Sequence, residues 1–532
     1  MTAPKRPAAL AGEAMVSSSH PRVSATGLRV LEDGGNAVDA ALAMAAMSWL
    51  TLPGQCGIGG DAFAVVREPD GQVWTVNGSG FGPDGGTAGF YRELGLPALP
   101  LDGALAVAVP GGVAAMAAMA ARGGSRDLAE LWEPAAAAAE RGLPCSAKTA
   151  RDLTVALSGI RDDAGMADIF LRDARVPGVG DPLGQPELAA TIRATAADPL
   201  GYFYAGEFAD RAVRHLRDGG APFTGDEWAA QVTTTTEQSI SAKYAGAVIH
   251  QTPMPSAGWM VLQQALLCDN AVGFEPWLSA GAIDRLARSA RKAFQDRYAF
   301  CGSDTDRWST TLEPDEVRAG RGRLDERSKQ RPFVTSEGDT TSMVAVDGEG
   351  RAVSFIHSLA FTFGAKTVVP GTGVVLNNRL GRGAYLNDGH PNEVKPRRKP
   401  LHTLNAWVAT DTAGRLLHVG NTPGGDGQVQ WNMQILSHLL DHGLDAQEAV
   451  SAPRFTVYPG SDADTVGDEP ELRYESRLGG EVIRQLREMG HSVRDQGEWG
   501  AEGSAQVISV DRERGLLTGG CDPRQEGVSL GW

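Results

Sequence analysis

The sequence predicts an α+β protein, and three features of its 532 residues point there. Through Ala290 the apolar residues recur mainly at helical spacing, in segments rich in alanine and closed by glycine. From Thr340 the pattern switches to short apolar runs joined by turn residues, as in strands and hairpins. Sixty-seven glycines and 30 prolines interrupt apolar segments that keep returning, so they mark turns rather than disorder.

Taken in order, His20-Pro21 leads into a periodic segment, Val23 to Leu31, with Gly34-Gly35 as its stop. Asn36 is placed to cap a second, Ala-rich helix through Leu50. The glycine cluster from Gly54 to Gly60 precedes a strand, Ala62 to Arg67, and lacks the spacing of a phosphate loop. Its glycines suit close backbone approach instead. Asp70-Gly71 turns that strand into Val73 to Val76. Val109 to Val113 marks a turn before another Ala-rich helix, and Leu128 to Ala290 reads mostly as amphipathic helix. Between Ser303 and Asp339, six arginines from Arg307 to Arg331 give a charged, strand-poor stretch, expected to be an exposed, mobile linker.

Beyond Thr340, Met343 to Val346 and Ala352 to His357 form a hairpin across Asp347 to Gly350. A run from Val368 to Leu376 follows, then a strand pair, Trp407 to Thr410 and Leu416 to Gly420. Thr422-Pro423-Gly424-Gly425-Asp426 opens a helix, Gln428 to Leu440.

Composition narrows the function. A net charge of −16 argues against a nucleic-acid or anionic-membrane surface. Five scattered cysteines without a CxxC spacing suggest neither a disulfide framework nor a zinc site. The apolar windows 37–52 and 104–120 are broken by Asp39 and by Pro110-Gly111-Gly112, so they read as core. No apolar run follows Lys5 and Arg6, and a cytoplasmic location is expected. His438 and His442 lie four apart on a predicted helix, but Leu439 stands where a metalloprotease glutamate would be, so a structural role is expected. The basic run Lys395 to Lys399 reads as an exposed loop able to draw anions toward a site mouth, and Cys56 as a buried thiol.

One boundary offers chemistry. Asp339-Thr340-Thr341-Ser342 joins a polar stretch to a buried strand. If the peptide bond before Thr340 breaks, its hydroxyl sits beside its own α-amine, whose pKa of about 8 lets it accept the hydroxyl proton. Adjacent threonines alone are ordinary, as Thr310-Thr311 shows. The surrounding motifs supply the rest. They are Gly34 to Ala41, Gly57 to Asp61, Val109-Pro110-Gly111, Asp339-Thr340-Thr341, Phe363-Gly364 and Pro370 to Gly373. Leu376-Asn377-Asn378, Pro423-Gly424-Gly425, Ala452 to Phe455 and Cys521 to Arg524 complete the set in order.

Together these resemble the γ-glutamyltranspeptidase family of N-terminal-nucleophile hydrolases over nearly the whole chain. The resemblance implies a four-layer αββα sandwich and self-cleavage between Asp339 and Thr340. Residues 1–339 would become a large fragment and 340–532 a small one, a heterodimer sharing one intertwined domain. Thr340 is then the nucleophile, Thr341 orients its hydroxyl, Ser358 holds the new α-amine, and Gly424 and Gly425 offer N–H groups to an oxyanion. No metal or organic cofactor is implied, and a higher homo-oligomer stays open.

Substrate residues depart from the family pattern. Ser79 stands at the place of an arginine that holds the substrate carboxylate. Ala360 replaces an asparagine, Arg379 and Arg382 replace a glutamine and an aspartate, and His402-Thr403 replaces a serine pair. A guanidinium where the family pairs the substrate ammonium would repel it. Arg379 also suits a small acyl group with its own carboxylate, as in the oxamate amidohydrolase branch. For Arg379, pairing with an acidic neighbour such as Asp388 or exposure to solvent stands level with that role; for Arg382 it is the expectation. The leading expectation is therefore hydrolysis or transfer of a small non-γ-glutamyl amide. The competing readings are γ-glutamyl transfer with an altered grip, a secondary-metabolite acylase or C–C hydrolase, and an uncleaved binding protein.

Overall fold

The computed structural model describes residues 6–325, 340–460 and 470–532; Asp339 lies outside them. Local signals set the first helices. α1 spans Pro21–Glu32, with His20 accepting from the Arg22 N–H at its start. α2, Ala37–Thr51, is closed by a capping box: the Asn36 side chain accepts from Val38 and Asp39 N–H, and Asp39 accepts from Asn36 N–H. All its residues are buried, and its alanines let neighbouring elements approach closely.

Fourteen strands form two seven-stranded sheets. In chain order they are β1 (Ala9–Ala11), β2 (Met15–Ser18), β3 (Asp61–Arg67), β4 (Val73–Gly78), β5 (Thr236–Gln238), β6 (Ile240–Tyr244) and β7 (Ala247–Gln251). Then come β8 (Thr341–Val346), β9 (Ala352–Ser358), β10 (Trp407–Thr410), β11 (Leu416–Asn421), β12 (Gln506–Asp511), β13 (Leu516–Cys521) and β14 (Val528–Gly531). The first sheet runs β14-β2-β8-β9-β3-β4-β5 and the second β1-β13-β12-β11-β10-β7-β6, with antiparallel pairing throughout. Each sheet mixes strands from both sides of residue 339, so a cut there would divide the chain without dividing the core.

Alternation along the strands sorts side chains into layers. Phe63, Val65, Val344, Val346 and Ile356 face Leu404, Val408, Val419 and Ile508 between the sheets. Met343, Ala345, Phe355 and Ala64 point the other way, against α1, α2, α3 (Gly112–Gly123) and α4 (Leu128–Arg141). On the far side, Ile249, Trp407 and Val507 pack against α5 (Gly258–Cys268), α6 (Ala280–Phe300) and α7 (Gly427–Leu440). Each fully buried Val, Ile or Phe stabilises these layers by about 1.5–3 kcal/mol. Helix, sheet, sheet and helix layers are thus all present.

The stretch 128–290 is mostly helical, as expected, but β5 to β7 also lie within it. Ile240, Ala242 and Tyr244 alternate with Ser241 and Lys243, a short period-2 signal masked by the helices around it. The charged stretch after Ser303 is not simply a linker: Arg307–Thr310 and Pro314–Asp325 are helical, and Arg321 ties the second of these to the Leu266 carbonyl. Residues 326–339, including the other end of that stretch, fall outside the described residues.

Candidate active site

The ends of four neighbouring strands place four side chains in a row. Thr341 pairs with His357, Ser358 with Asp61, and Ala62 with Gly78. One step further, Thr340 faces Ser358 and Ser79 faces Asp61. By strand alternation Thr340, Ser358, Asp61 and Ser79 share the inter-sheet face with Val344, Ile356 and Phe63. All four are buried. The Thr340 hydroxyl donates to Ser358 Oγ at 3.2 Å, and Ser358 Oγ also accepts the Ala360 N–H at 2.8 Å. Gln428, in the first turn of α7, brings its Nε2 to 3.5 Å from the Thr340 oxygen. Thr341 falls on the opposite face with Met343, and among the described residues no hydrogen bond joins it to Thr340.

The turn from β11 into α7 lies against this row. Gly424 and Gly425 take φ of +124° and +55°, and a Cβ on Gly424 would meet the Trp431 ring at 2.1 Å. Glycine is required at Gly424 by both conformation and space. Their carbonyls accept from Gly427 and Gln428 N–H at 2.9 and 3.1 Å. Among the described residues their own N–H groups donate to no backbone acceptor. Asp426 is held by Arg297 at 3.2 Å with both side chains buried, which fixes the turn against α6.

Beside the row, Arg379 Nε donates to Asp61 Oδ2 at 3.1 Å, with side-chain exposures of 1% and 0%. Asp388, the acidic neighbour expected from sequence, pairs with Arg92 instead. Asn377 positions the arginine: its Oδ1 accepts from Arg379 N–H at 3.0 Å, and its Nδ2 donates to Gly59 and Ala108 carbonyls. Burial pushes the Asp61 carboxyl up to about 6, against the pull of the Arg379 charge. Arg382 is buried rather than solvent-facing. It donates to the Ala360 carbonyl at 2.8 Å and lies over the Phe361 ring, while Ala360 adopts φ +88°.

His402 bonds Ser79 Oγ through Nε2 at 2.8 Å and packs edge-on against Phe63. Burial, then the charges of Arg379, Lys399, Arg297 and Arg382, hold its pKa well below the ordinary range, so it is neutral. Its Nδ1, the Thr403 hydroxyl and Gln428 Oε1 are buried without a hydrogen-bond partner among the described residues. The structure therefore gathers Thr340, Ser358, Ser79, Ala360, Arg379, Arg382, His402, Thr403, Gly424 and Gly425 at one end of the inter-sheet space.

Asp61 and Gln428 are residues that sequence reasoning did not assign to the site. An aspartate opening a strand that is otherwise apolar up to Arg67 was the available signal for the first. The other candidates behave as structural groups. His438 is buried and accepts from Trp277 Nε1 at 3.2 Å. Burial pushes the Cys56 thiol up to about 12. Among the described residues no three His, Cys, Asp or Glu side chains gather as a metal site, and no helix is long and apolar enough to cross a membrane. Surface clefts of about 720 and 580 Å³ sit at the other end of β8, around Asp347, and share no residue with the Thr340 row.

Two antiparallel sheets between helical layers define the αββα fold of N-terminal-nucleophile hydrolases. A crystal structure of cephalosporin acylase from Bacillus halodurans has the same fold, with TM-score 0.90 and 28% identity, covering 100% of this chain and 98% of that one. The chain belongs to the γ-glutamyltranspeptidase family, whose profile matches residues 23–532. It is 33% identical to the glutathione hydrolase-like YwrD proenzyme of Bacillus subtilis, over 97% of this chain and 98% of the relative. It is 30% identical to the oxamate amidohydrolase proenzyme of Klebsiella pneumoniae, with the same two coverages.

Proposed function

We propose that this protein is a self-processing hydrolase that uses Thr340 to cleave an amide-type bond of a small substrate lacking the γ-glutamyl head. The observation that carries the reading is the buried Thr340 hydroxyl at the head of a central strand, 3.2 Å from Ser358 and 3.5 Å from Nε2 of Gln428, which follows the Gly424-Gly425 turn. Cleavage after Asp339 yields fragments 1–339 and 340–532 and frees the Thr340 α-amine beside its own hydroxyl, which donates to Ser358 at 3.2 Å. That amine takes the hydroxyl proton as Oγ1 attacks the acyl carbonyl. The Gly424 and Gly425 N–H groups stabilise the oxyanion, and the protonated amine returns its proton to the leaving nitrogen. Water then attacks the threonyl ester and releases the acid. No step calls on a metal or cofactor.

The substrate assignment rests on what the pocket lacks. A γ-glutamyl ammonium needs an anion, and the carboxylate in the row, Asp61, is committed to Arg379. Ser79 is committed to His402 where the family resemblance places a carboxylate-binding arginine. The names of the amidohydrolase and acylase relatives agree with amide hydrolysis. The name of the glutathione hydrolase-like relative favours a second reading, γ-glutamyl hydrolysis with an altered grip.

The test is denaturing electrophoresis with sequencing of the smaller piece, alongside a γ-glutamyl anilide assay. A small fragment starting at Thr340, with an acyl adduct on its first peptide, is expected. An intact chain after long incubation removes the nucleophile assignment, and brisk γ-glutamyl anilide turnover selects the second reading.

A further inference from the structure

Four amide side chains project from α7, those of Gln428, Gln430, Asn432 and Gln434, and all four are buried. Three of them are held at both ends. Gln430 donates to the Asp426 and Val457 carbonyls and accepts from Val457 N–H at 2.7 Å. Gln434 donates to the Phe455 carbonyl at 2.7 Å and accepts from its N–H at 3.4 Å. Asn432 donates to Asn405 Oδ1 at 2.8 Å and accepts from Trp407 Nε1 at 3.0 Å. These three clamp the helix to the strand Phe455–Tyr458 and to β10.

Gln428 is the exception. Its Nε2 lies 3.5 Å from the Thr340 oxygen, and its Oε1 is buried with no hydrogen-bond partner among the described residues. Its base is fixed, because its own N–H donates to the Gly425 carbonyl at 3.1 Å, so the side chain and the glycine turn form one unit. A buried carboxamide with one end unsatisfied costs stability and calls for a reason. Its contact with Thr340 supplies that reason.

We propose that Gln428 is a catalytic residue whose Nε2 donates to the Thr340 oxygen as that oxygen reacts. The assignment rests on the Thr340 reading. In the resting state the Thr340 hydroxyl gives its hydrogen to Ser358 Oγ and accepts from Gln428. A contact of 3.5 Å is long, and such contacts tighten once charge appears on the acceptor. In self-cleavage Oγ1 bonds to the Asp339 carbonyl carbon, the C–N bond breaks, and the hydroxyl proton passes to the departing Thr340 nitrogen. Water then adds to the resulting ester, the C–Oγ1 bond breaks, and the oxygen recovers a proton from that water. Charge gathers on Oγ1 as its bond to carbon forms and again as it breaks, and each turnover with substrate repeats both steps. A fixed N–H aimed at this oxygen stabilises those transition states more than the resting hydroxyl, and Gln428 keeps its own protons throughout.

Self-cleavage is the test, since there the chain is its own substrate. Wild type, Gln428→Met and Gln428→Glu are made in a cell-free pulse, and their division is followed by denaturing electrophoresis. Both variants keep the length of the side chain; Met removes the amide, and Glu puts an oxygen where the N–H was. Each is expected to divide about a hundred-fold more slowly than wild type. Thermal melting of the fully divided proteins separates reaction from packing. Gln428→Met is expected to melt at or above the wild-type temperature, because it no longer buries an unsatisfied amide. Division of either variant at or above the wild-type rate overturns the assignment. Slow division of Gln428→Met together with a lowered melting temperature also overturns it, and makes Gln428 a packing residue. A wild type that never divides removes the Thr340 reading itself, and the assignment falls with it.

Discussion

Arg379 and Asp61 form a buried ion pair at 3.1 Å between residues 318 positions apart. One comes from each side of the expected cut, so the pair joins the two fragments beside the candidate nucleophile. Its value lies in geometry more than in net stability, because desolvating two charges offsets most of their attraction. Removing one partner is a different matter. Asp61→Leu is expected to cost about 3–5 kcal/mol, and the double change Asp61→Leu with Arg379→Met clearly less. Urea unfolding of the three proteins checks this, and a single-variant cost below about 1 kcal/mol contradicts it.

The Gly424 position tests the oxyanion turn. Its φ of +124° and the Trp431 ring at 2.1 Å leave no room for a side chain. Gly424→Ala must shift the turn, and with it the N–H groups of Gly424 and Gly425. Loss of one oxyanion donor costs about 10²–10³ in kcat, so a drop of that size with KM changed little is expected. A variant that folds and retains more than about a tenth of wild-type kcat would place the oxyanion elsewhere.

Stability at low pH follows from histidines buried without charge. Burial pushes His357 and His438 down to about 3 from the ordinary 6.5. Between those values the unfolded chain binds protons that the folded one refuses. Their contribution is therefore complete above pH 6.5 and declines as pH falls toward 3. Each histidine adds a slope of about 1.4 kcal/mol per pH unit in that window. His438→Gln, far from the Thr340 row, is expected to flatten the fall in stability between pH 6.5 and 4 by about one histidine's share. Equal slopes for the variant and wild type, measured by urea unfolding across that range, would contradict it.

Much of this was legible in the sequence where the signal is local. Asn36 caps α2, Asp70-Gly71 turns β3 into β4, and Met343 to Val346 pairs with Ala352 to His357, because caps, turns and alternation act over a few residues. Gly59 and Gly60 admit the Val375 and Ser358 carbonyls where a Cβ would collide at 2.2 and 2.5 Å, as the glycine cluster suggested. The strands β5 to β7 were hidden because they are short and embedded among helices, and the face they cover is set by distant partners. Asp61 was legible as a residue but not as a partner, since nothing local points 318 positions away. Arg382 illustrates the same limit: its burial depends on Ala360 and Phe361, which only the folded turn brings beneath it.

Ser358 offers the sharpest check on the nucleophile. Its oxygen accepts from both the Thr340 hydroxyl and the Ala360 N–H, so it sets the Thr340 rotamer and the strained Ala360 backbone together. Ser358→Ala leaves a buried amide and a buried hydroxyl short of a partner, at a cost of about 1–3 kcal/mol each. Thr340 then loses its orientation, and self-cleavage and turnover are both expected to slow by about 10²-fold. Ser358→Thr keeps the oxygen and should process at a rate near wild type. Thr340→Ala should remain a single chain, whereas Thr340→Ser should still divide. Time-resolved electrophoresis of these four variants after expression reads all of the outcomes. If Thr340→Ala divides at the same place, or Ser358→Ala keeps pace with Ser358→Thr, the hydroxyl pair is a packing contact and the reacting group lies elsewhere.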